Sequence, residues 1–245
     1  MTLRIWLLTI CFCSLSVNAE QVFRSDAMQA TVLELYTSEG CSSCPPADRW
    51  FTTLVEHPQL WQGLIPIAFH VDYWNYLGWE DRFASAAYSQ RQRAYYRQGS
   101  TQGVYTPGMM AAGREWHNWR RLQDAPISTQ EVGVLELRDN GLVFSARYTP
   151  AHPQPRSEFQ LHVAVLGFGL TTPVKRGENR GRDLSHDFVV LSHDVYSDSG
   201  LQWTGDIPIS PYESEAERLA LVAWVSDRQR LGPIQATGGW RTPGT

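Results

Sequence analysis

Residues 31–46 read TVLELYTSEGCSSCPP, and this stretch decides what the first half of the chain can form. Residues 31–37 are β-branched, aromatic and apolar enough to predict a strand, and Ser38-Glu39-Gly40 interrupts that pattern. The two prolines after the second cysteine suit the first turn of a helix, which we expect over residues 47–56. The stretch therefore predicts a strand, a turn that carries two cysteines, and a helix.

The segments that follow extend this unit and then change in character. Residues 64–71, LIPIAFHV, predict a strand covered on both faces, and residues 82–97 predict a second helix. We expect a turn-rich loop at residues 99–113. After residue 124 the helical signal weakens and short strand-like segments follow one another at residues 132–137, 142–148, 159–166, 188–191 and 219–225.

The change in sequence pattern after residue 124 predicts two domains. We expect an α/β domain at residues 20–124 and an all-β, sandwich-like domain at residues 125–245. Asp139-Asn140-Gly141 is typical of a hairpin turn between the first two strands of the second domain.

Residues 1–19 have the pattern of a secretory signal peptide. Arg4 precedes an apolar run over residues 5–17, and small residues stand at the positions that a signal peptidase recognises before Glu20. We therefore expect an exported protein, periplasmic or secreted, although an uncleaved anchor would show a similar pattern. No later stretch reaches the roughly 20 apolar residues of a membrane span, so we expect none in the mature chain.

Charge and cysteine content narrow the function further. The formal net charge is −4 and basic clusters are short, which argues against nucleic acid as a partner. Of the 4 cysteines, Cys11 and Cys13 lie in the signal peptide, so the mature chain keeps Cys41 and Cys44. A pair separated by two residues closes too small a loop to restrain the unfolded chain strongly, which leaves it available for chemistry.

The position of the cysteine pair predicts redox chemistry. A cysteine at a helix N-terminus has its thiolate stabilised by unpaired backbone N–H groups and the helix dipole. We expect Cys41 to be the exposed nucleophile and Cys44 the more buried resolving thiol, with no cofactor beyond their disulfide. A structural disulfide remains an alternative. A structural zinc site would need four ligands, which this chain does not offer nearby.

Several motifs resemble the DUF1223 family of uncharacterised secreted proteins. The residues that carry the resemblance are Glu34-Leu35-Tyr36-Thr37-Ser38, Gly40-Cys41-Ser42-Ser43-Cys44-Pro45-Pro46-Ala47-Asp48, His70-Val71-Asp72-Tyr73-Trp74, Gly78-Trp79, Asp81, Arg91-Gln92, Val104-Tyr105-Thr106-Pro107 and Gly177-Glu178-Asn179-Arg180-Gly181-Arg182 with His186. The resemblance implies an α/β thioredoxin-like domain followed by a β-rich domain, and it brings no established substrate. Proteins of the thioredoxin-like kind place a cis-proline opposite the dithiol, and Thr106-Pro107 matches that position; an ordinary turn proline is the alternative.

Three further side chains are candidate auxiliaries. His70 and Asp72 close the second predicted strand, at the end of a sheet where catalytic groups gather. Glu34 lies on the first strand, where a proton-transfer role and a salt-bridged role are equally compatible with the sequence. Met109 follows the proline, so Cys41, Cys44, His70 and Met109 form a weaker alternative as a copper site.

Two functions remain as expectations. The first is an exported thiol-disulfide oxidoreductase in which Cys41 attacks, Cys44 resolves, and Thr106 and Pro107 position protein thiols, small thiols or a redox partner. The second is a non-catalytic periplasmic binding module that holds copper or an extended peptide in the same cleft.

Overall fold

The fold is built mainly from β-strands. The computed structural model describes residues 20–120, 125–152, 158–197 and 200–242, and within these ranges the chain forms fourteen strands and two α-helices. In chain order they are β1 (Gln21–Arg24), β2 (Thr31–Thr37), α1 (Pro45–Thr52), β3 (Leu64–His70), α2 (Ala86–Arg97), β4 (Gly108–Ala111), β5 (Arg114–Glu115), β6 (Gly133–Asp139), β7 (Val143–Pro150), β8 (Phe159–Phe168), β9 (Leu170–Pro173), β10 (Asp183–His186), β11 (Val189–Ser197), β12 (Gln202–Asp206), β13 (Arg218–Asp227) and β14 (Arg230–Trp240).

An eight-stranded mixed sheet runs through the whole molecule in the order β14-β13-β8-β11-β3-β2-β4-β5. At its centre β2 and β3 are parallel, with Leu35 opposite Ala68, and α1 connects them. The predicted strand, helix, strand unit is therefore present. On the other side of β3, β11 is also parallel, with Val189 opposite Ala68.

The expected architecture, an α/β thioredoxin-like domain followed by a separate all-β sandwich-like domain, is wrong. Strands from both halves of the chain share the eight-stranded sheet, and in the described ranges α1 and α2 are the only α-helices. The reason lies in β3, which is buried along its whole length. A buried strand must pair its backbone groups on both sides, and the partner on one side is β11. The boundary expected at residue 124 falls within residues 121–124, outside the described residues.

Two apolar layers lie on opposite faces of the large sheet, and β8 contributes to both. Leu161, Val163 and Val165 join the layer beneath a second, four-stranded sheet in the order β1-β6-β7-β12. The alternate residues Ala164, Leu166 and Phe168 join the layer that also contains the core of α1, β2 and β3. Side chains of successive strand residues point to opposite faces, so one strand serves two cores.

Both predicted helices are present, but their ends differ from the predicted ones. The first begins at Pro45, and residues Thr53–Glu56 continue it as a 3-10 turn. The second begins at Ala86 rather than at residue 82, because the Ser85 hydroxyl accepts a hydrogen bond from the Ala87 amide at 3.2 Å and caps the helix there. The expected loop at residues 99–113 contains the short strand β4, which pairs antiparallel with β2.

The expected signal peptide, residues 1–19, lies outside the described residues. In the part of the chain that the structure covers, no helix has the length and apolar character needed to cross a membrane.

Candidate functional site

The two cysteines form a disulfide at the point where β2 gives way to α1. The Cα atoms of Cys41 and Cys44 are 5.5 Å apart. Cys44 is the N-cap of α1 and already has helical dihedral angles, and its carbonyl accepts hydrogen bonds from the amides of Ala47 at 2.8 Å and Asp48 at 3.1 Å. The pair therefore sits at the N-terminal end of a helix, as the sequence predicts.

The expected exposure of Cys41 is wrong for this oxidised form. Cys41 is 1% exposed and Cys44 is fully buried, whereas Ser42 and Ser43 between them face solvent. The physical reason is a contact that the sequence does not reveal, since a segment from the second half of the chain lies against the disulfide loop.

This covering segment, residues 174–182, connects β9 to β10, and we call it the strap. Asn179 is fully buried, and its side-chain amide donates to the carbonyls of Glu39 and Cys41, each at 2.9 Å. The Glu178 carboxylate accepts a hydrogen bond from the Ser42 amide at 3.2 Å. The strap thus holds the disulfide loop from both sides of Cys41.

Thr106 and Pro107 lie beside the same loop, and the peptide bond between them is cis. Gly108, the next residue, pairs with Tyr36 close to the end of β2. The indole nitrogen of Trp74 donates to the Thr106 hydroxyl at 2.8 Å. A side chain at position 40 would come within 2.9 Å of Trp74, so Gly40 allows Trp74 to pack directly against the residue before Cys41.

A cluster of buried ionisable side chains lies behind the disulfide loop. His70 Nδ1 is 2.7 Å from Asp81 Oδ2, and the same oxygen accepts a hydrogen bond from the Glu39 amide at 2.8 Å. The ring of His186 on β10 is 4.9 Å from the ring of His70, centre to centre. Its Nε2 is 3.3 Å from Glu39 Oε1, without the geometry of a hydrogen bond.

Three atoms of this cluster have no hydrogen-bond partner among the described residues. They are Nε2 of His70, Nε2 of His186 and Oε1 of Glu39. Unpaired polar atoms are costly in a protein interior, so the cluster is not a saturated structural network.

The protonation of the His70 and Asp81 pair follows from its geometry. Burial by itself would lower the pKa of His70, but the adjacent Asp81 carboxylate outweighs burial and raises that pKa above its ordinary value. Burial by itself would raise the pKa of Asp81, but the charge and hydrogen bond of His70 lower it. Each member of the pair therefore favours the charged form of the other.

Asp48 is a buried carboxyl on α1 to which the sequence patterns assigned no role. The Thr37 hydroxyl donates to its Oδ1 at 2.7 Å. Burial raises the pKa of Asp48, opposed by the nearby charges of His186 and His70 and by the hydrogen bond from Thr37. Its place four residues after Cys44, one helical turn on, is the signal that could have identified it from the sequence.

The other predicted auxiliaries have structural partners. Glu34 is fully buried in an ion pair with Arg91, whose Nε lies 2.8 Å away, and the hydroxyls of Tyr36 and Tyr95 donate to it at 2.7 and 2.6 Å. Of its two predicted roles, the structure shows the salt-bridged one. Asp72 is bound by the Ser89 hydroxyl of α2.

The four residues of the weaker copper alternative lie on different elements, namely the disulfide loop with the start of α1, β3 and β4. Met109 lies on β4 opposite Leu35, in the core. Cys41, Cys44 and His70 do not form a metal-holding group, and across the described ranges no three His, Cys, Asp or Glu side chains do.

Two solved structures have folds similar to that of this chain. No curated protein matches the chain. An X-ray structure of a protein from Agrobacterium tumefaciens is 23% identical, with a TM-score of 0.61 over 89% of this chain and 97% of that chain. HBP35 of Porphyromonas gingivalis is 13% identical, with a TM-score of 0.52 over 88% of this chain and 76% of that chain. At these identities the likeness concerns the fold alone.

The sequence itself matches one family over most of its length. Residues 32–226, which include the disulfide loop, the buried cluster and the strap, match the family described as "Protein of unknown function (DUF1223)". The chain therefore belongs to the DUF1223 family.

Proposed function

We propose that this chain is an exported thiol-disulfide oxidoreductase that exchanges its Cys41–Cys44 disulfide with protein or small-molecule thiols. The observation that carries the proposal is a disulfide formed at the N-terminus of α1. Because a loop with two intervening residues restrains the unfolded chain only slightly, exchange chemistry is a better explanation of this disulfide than stabilisation.

The exchange cycle uses both sulfurs. The thiolate of Cys41 attacks a substrate disulfide, one substrate sulfur leaves as a thiolate, and a mixed disulfide forms. The thiolate of Cys44 then attacks the Cys41 sulfur, which releases the second substrate thiolate and closes the Cys41–Cys44 bond. The substrate gains two electrons and the protein loses them; the reverse cycle oxidises a substrate dithiol. The N-terminal end of α1 favours the attacking thiolate through the helix dipole.

Thr106 and Pro107 are the proposed substrate-positioning residues. They directly precede β4, and Trp74, which packs against Gly40 of the disulfide loop, donates a hydrogen bond to the Thr106 hydroxyl. An extended peptide could align with backbone groups at this point, which would provide affinity without demanding a particular sequence. Protein thiols and a redox partner protein are accordingly the proposed partners.

Burial of Cys41 adds a condition to the cycle. A substrate sulfur can reach Cys41 only if the hydrogen bonds of Glu178 and Asn179 to the disulfide loop are broken. The second half of the chain therefore contributes to the site by controlling access to it.

A thiol exchange assay with single-cysteine variants tests the function. Purified wild type should catalyse reduction of insulin by dithiothreitol or exchange with glutathione, and Cys41→Ser should abolish that activity. Cys44→Ser should instead accumulate a mixed disulfide on Cys41, visible as a mass increase that a reductant reverses. Arg49→Ala, an exposed change on the outer face of α1, is the control and should retain activity.

The proposal fails if wild type gives the same background rate as Cys41→Ser. Export is tested separately, by locating the full-length protein in fractionated cells and sequencing its N-terminus, which should begin near Glu20. A protein found in the cytoplasm with residues 1–19 attached would contradict the proposed export.

A further inference from the structure

Resolution of the mixed disulfide requires that the buried Cys44 thiol lose its proton. Cys44 must lose its proton before it can attack the Cys41 sulfur, because the thiolate is the attacking species. Cys44 is fully buried. Bulk water therefore has poor access to its thiol, and a protein group that takes the proton would speed the step.

Asp48 is placed to take that proton. Cys44 has helical dihedral angles and its carbonyl accepts the Asp48 amide at 3.1 Å, so the two residues are separated by one regular helical turn. Side chains at positions i and i+4 lie on the same helix face, with Cβ atoms about 6 Å apart. The face in question is the buried one, since Asp48 is 8% exposed.

The hydrogen bonds of Asp48 leave one of its oxygens available. The Thr37 hydroxyl holds Oδ1, and no described residue donates to Oδ2. Thr37 is the last residue of β2, directly before the disulfide loop, so this hydrogen bond orients the carboxyl from the strand that leads to Cys41. The Asp48 carboxyl is thereby fixed near the loop with a free lone pair.

The charges that face Asp48 come from three directions. The charges of His186 on β10 and His70 at the end of β3 favour the ionised form of Asp48, and Asp81 in the loop before α2 opposes it. Glu39, in the disulfide loop, lies against His186 and Asp81. Because burial outweighs the favourable charges, the pKa of Asp48 is raised, which brings it closer to the pKa of a thiol.

We infer that Asp48 is the proton acceptor for Cys44 in the resolving step. The Cys44 thiol gives its proton to the Asp48 carboxylate as its sulfur bonds to the Cys41 sulfur, and the substrate thiolate leaves with the bonding electrons. In the reverse cycle the protonated Asp48 returns the proton to Cys44. This inference rests on the proposed exchange function.

Rapid mixing of the reduced protein with an aromatic disulfide such as 5,5′-dithiobis(2-nitrobenzoate) separates the two steps. Attack by Cys41 releases one coloured thiolate, and resolution by Cys44 releases the second. In Asp48→Asn the first phase should stay within about twofold of wild type at pH 6 to 7. The second phase should slow by about 100-fold, the lower end of general-base effects. The difference should shrink as pH approaches about 8.5, where a free thiol ionises by itself.

Two variants keep this result specific. Asp48→Glu restores a carboxylate and should recover part of the second phase. Asp183→Asn removes an exposed negative charge on β10 and should change neither phase. If Asp48→Asn resolves as fast as wild type at every pH, or slows both phases equally, Asp48 is not the proton acceptor.

The wild-type protein provides an independent measurement. Its second phase should already be rapid below neutral pH, following a titration in the carboxyl range. A second phase that rises only through the thiol range would overturn the inference even if Asp48→Asn failed to fold. Absence of any colour release that depends on Cys41 would instead refute the exchange function, so the two failures are distinguishable.

Discussion

His70 and Asp81 form a pair with almost no exposure to water. At such a site, one substitution can change the free energy of unfolding strongly. Removing one member of a buried pair costs more than the pair contributes, because the remaining charge loses its partner. Asp81 also accepts hydrogen bonds from the Glu39 and Phe83 amides, at 2.8 and 3.0 Å. It therefore connects the buried cluster to the disulfide loop and to the turn before α2.

Asp81→Asn should lower the free energy of unfolding by about 3 kcal/mol at neutral pH. The His70 contribution is complete below the ordinary imidazole pKa and is lost as pH rises through the raised pKa of His70. The Asp81 contribution is present above the ordinary carboxyl pKa and is lost as pH falls through its lowered pKa. Urea unfolding of wild type and variant across pH measures the loss of stability at high pH and the loss at low pH.

The exposed pair of Glu158 and Arg228 provides the control for that measurement. Its atoms are 2.7 Å apart, but both side chains are more than half exposed. Solvent screens such pairs strongly, so Glu158→Gln should leave stability nearly unchanged. Equal effects of Glu158→Gln and Asp81→Asn would show that the buried pair is not charged as described.

At the scale of elements, the strap joins the β9 and β10 hairpin to the disulfide loop. Its most buried member, Asn179, makes two hydrogen bonds to backbone carbonyls on either side of Gly40 and receives one from Arg182 at 2.9 Å. The strands at its ends hold it in place, since Ser185 pairs with Thr171 in that hairpin.

Asn179→Ala should make the Cys41–Cys44 disulfide easier to reach. Two hydrogen bonds to the disulfide loop are lost, each contributing about 1 kcal/mol. We expect dithiothreitol to reduce the disulfide in the variant about tenfold faster, as followed by alkylation of the freed thiols and mass spectrometry. Arg180→Ala changes an exposed neighbour in the strap and should leave the rate close to that of wild type. An unchanged rate in Asn179→Ala would show that the strap does not limit access.

The elements that the sequence predicted well are those whose signal is local. β2, β3 and both helices follow from apolar runs and the two prolines, although the start of α2 was missed because the Ser85 cap was not recognised. The cis bond before Pro107 agrees with the expectation. The strap contacts were not predictable, because nothing near Asn179 indicates that its amide binds the carbonyl of Cys41.

At the scale of the whole molecule, strands from both halves share the eight-stranded sheet, so we expect the two halves to unfold as one cooperative unit. Phe188, between β10 and β11, illustrates this coupling. It is fully buried and lies edge-on against Phe51 of α1 and Phe168 of β8, with ring centres 5.5 and 4.8 Å apart. Pairings of this kind depend on residues far apart in the chain, which explains why local patterns predicted two domains instead.

Phe188→Ala should lower the free energy of unfolding by about 4 kcal/mol, because it leaves a cavity between α1 and the sheet. Unfolding of wild type and variant should give one transition, with hydrogen-exchange probes in β2 and in β13 shifting together. Tyr76→Ala, at a side chain that is 78% exposed, should shift neither probe. Separate transitions for the two strands would contradict the single unit.

The parallel pairing of β3 with β11 also orders events during synthesis. Residues up to β3 emerge from the ribosome long before β11 and the strap exist to complete the sheet. During that interval Cys41 and Cys44 have no cover, so an oxidant can join them freely. Once the last strands arrive, the same bond becomes sheltered, and a nascent chain and a finished molecule present the same two sulfurs to very different chemistry.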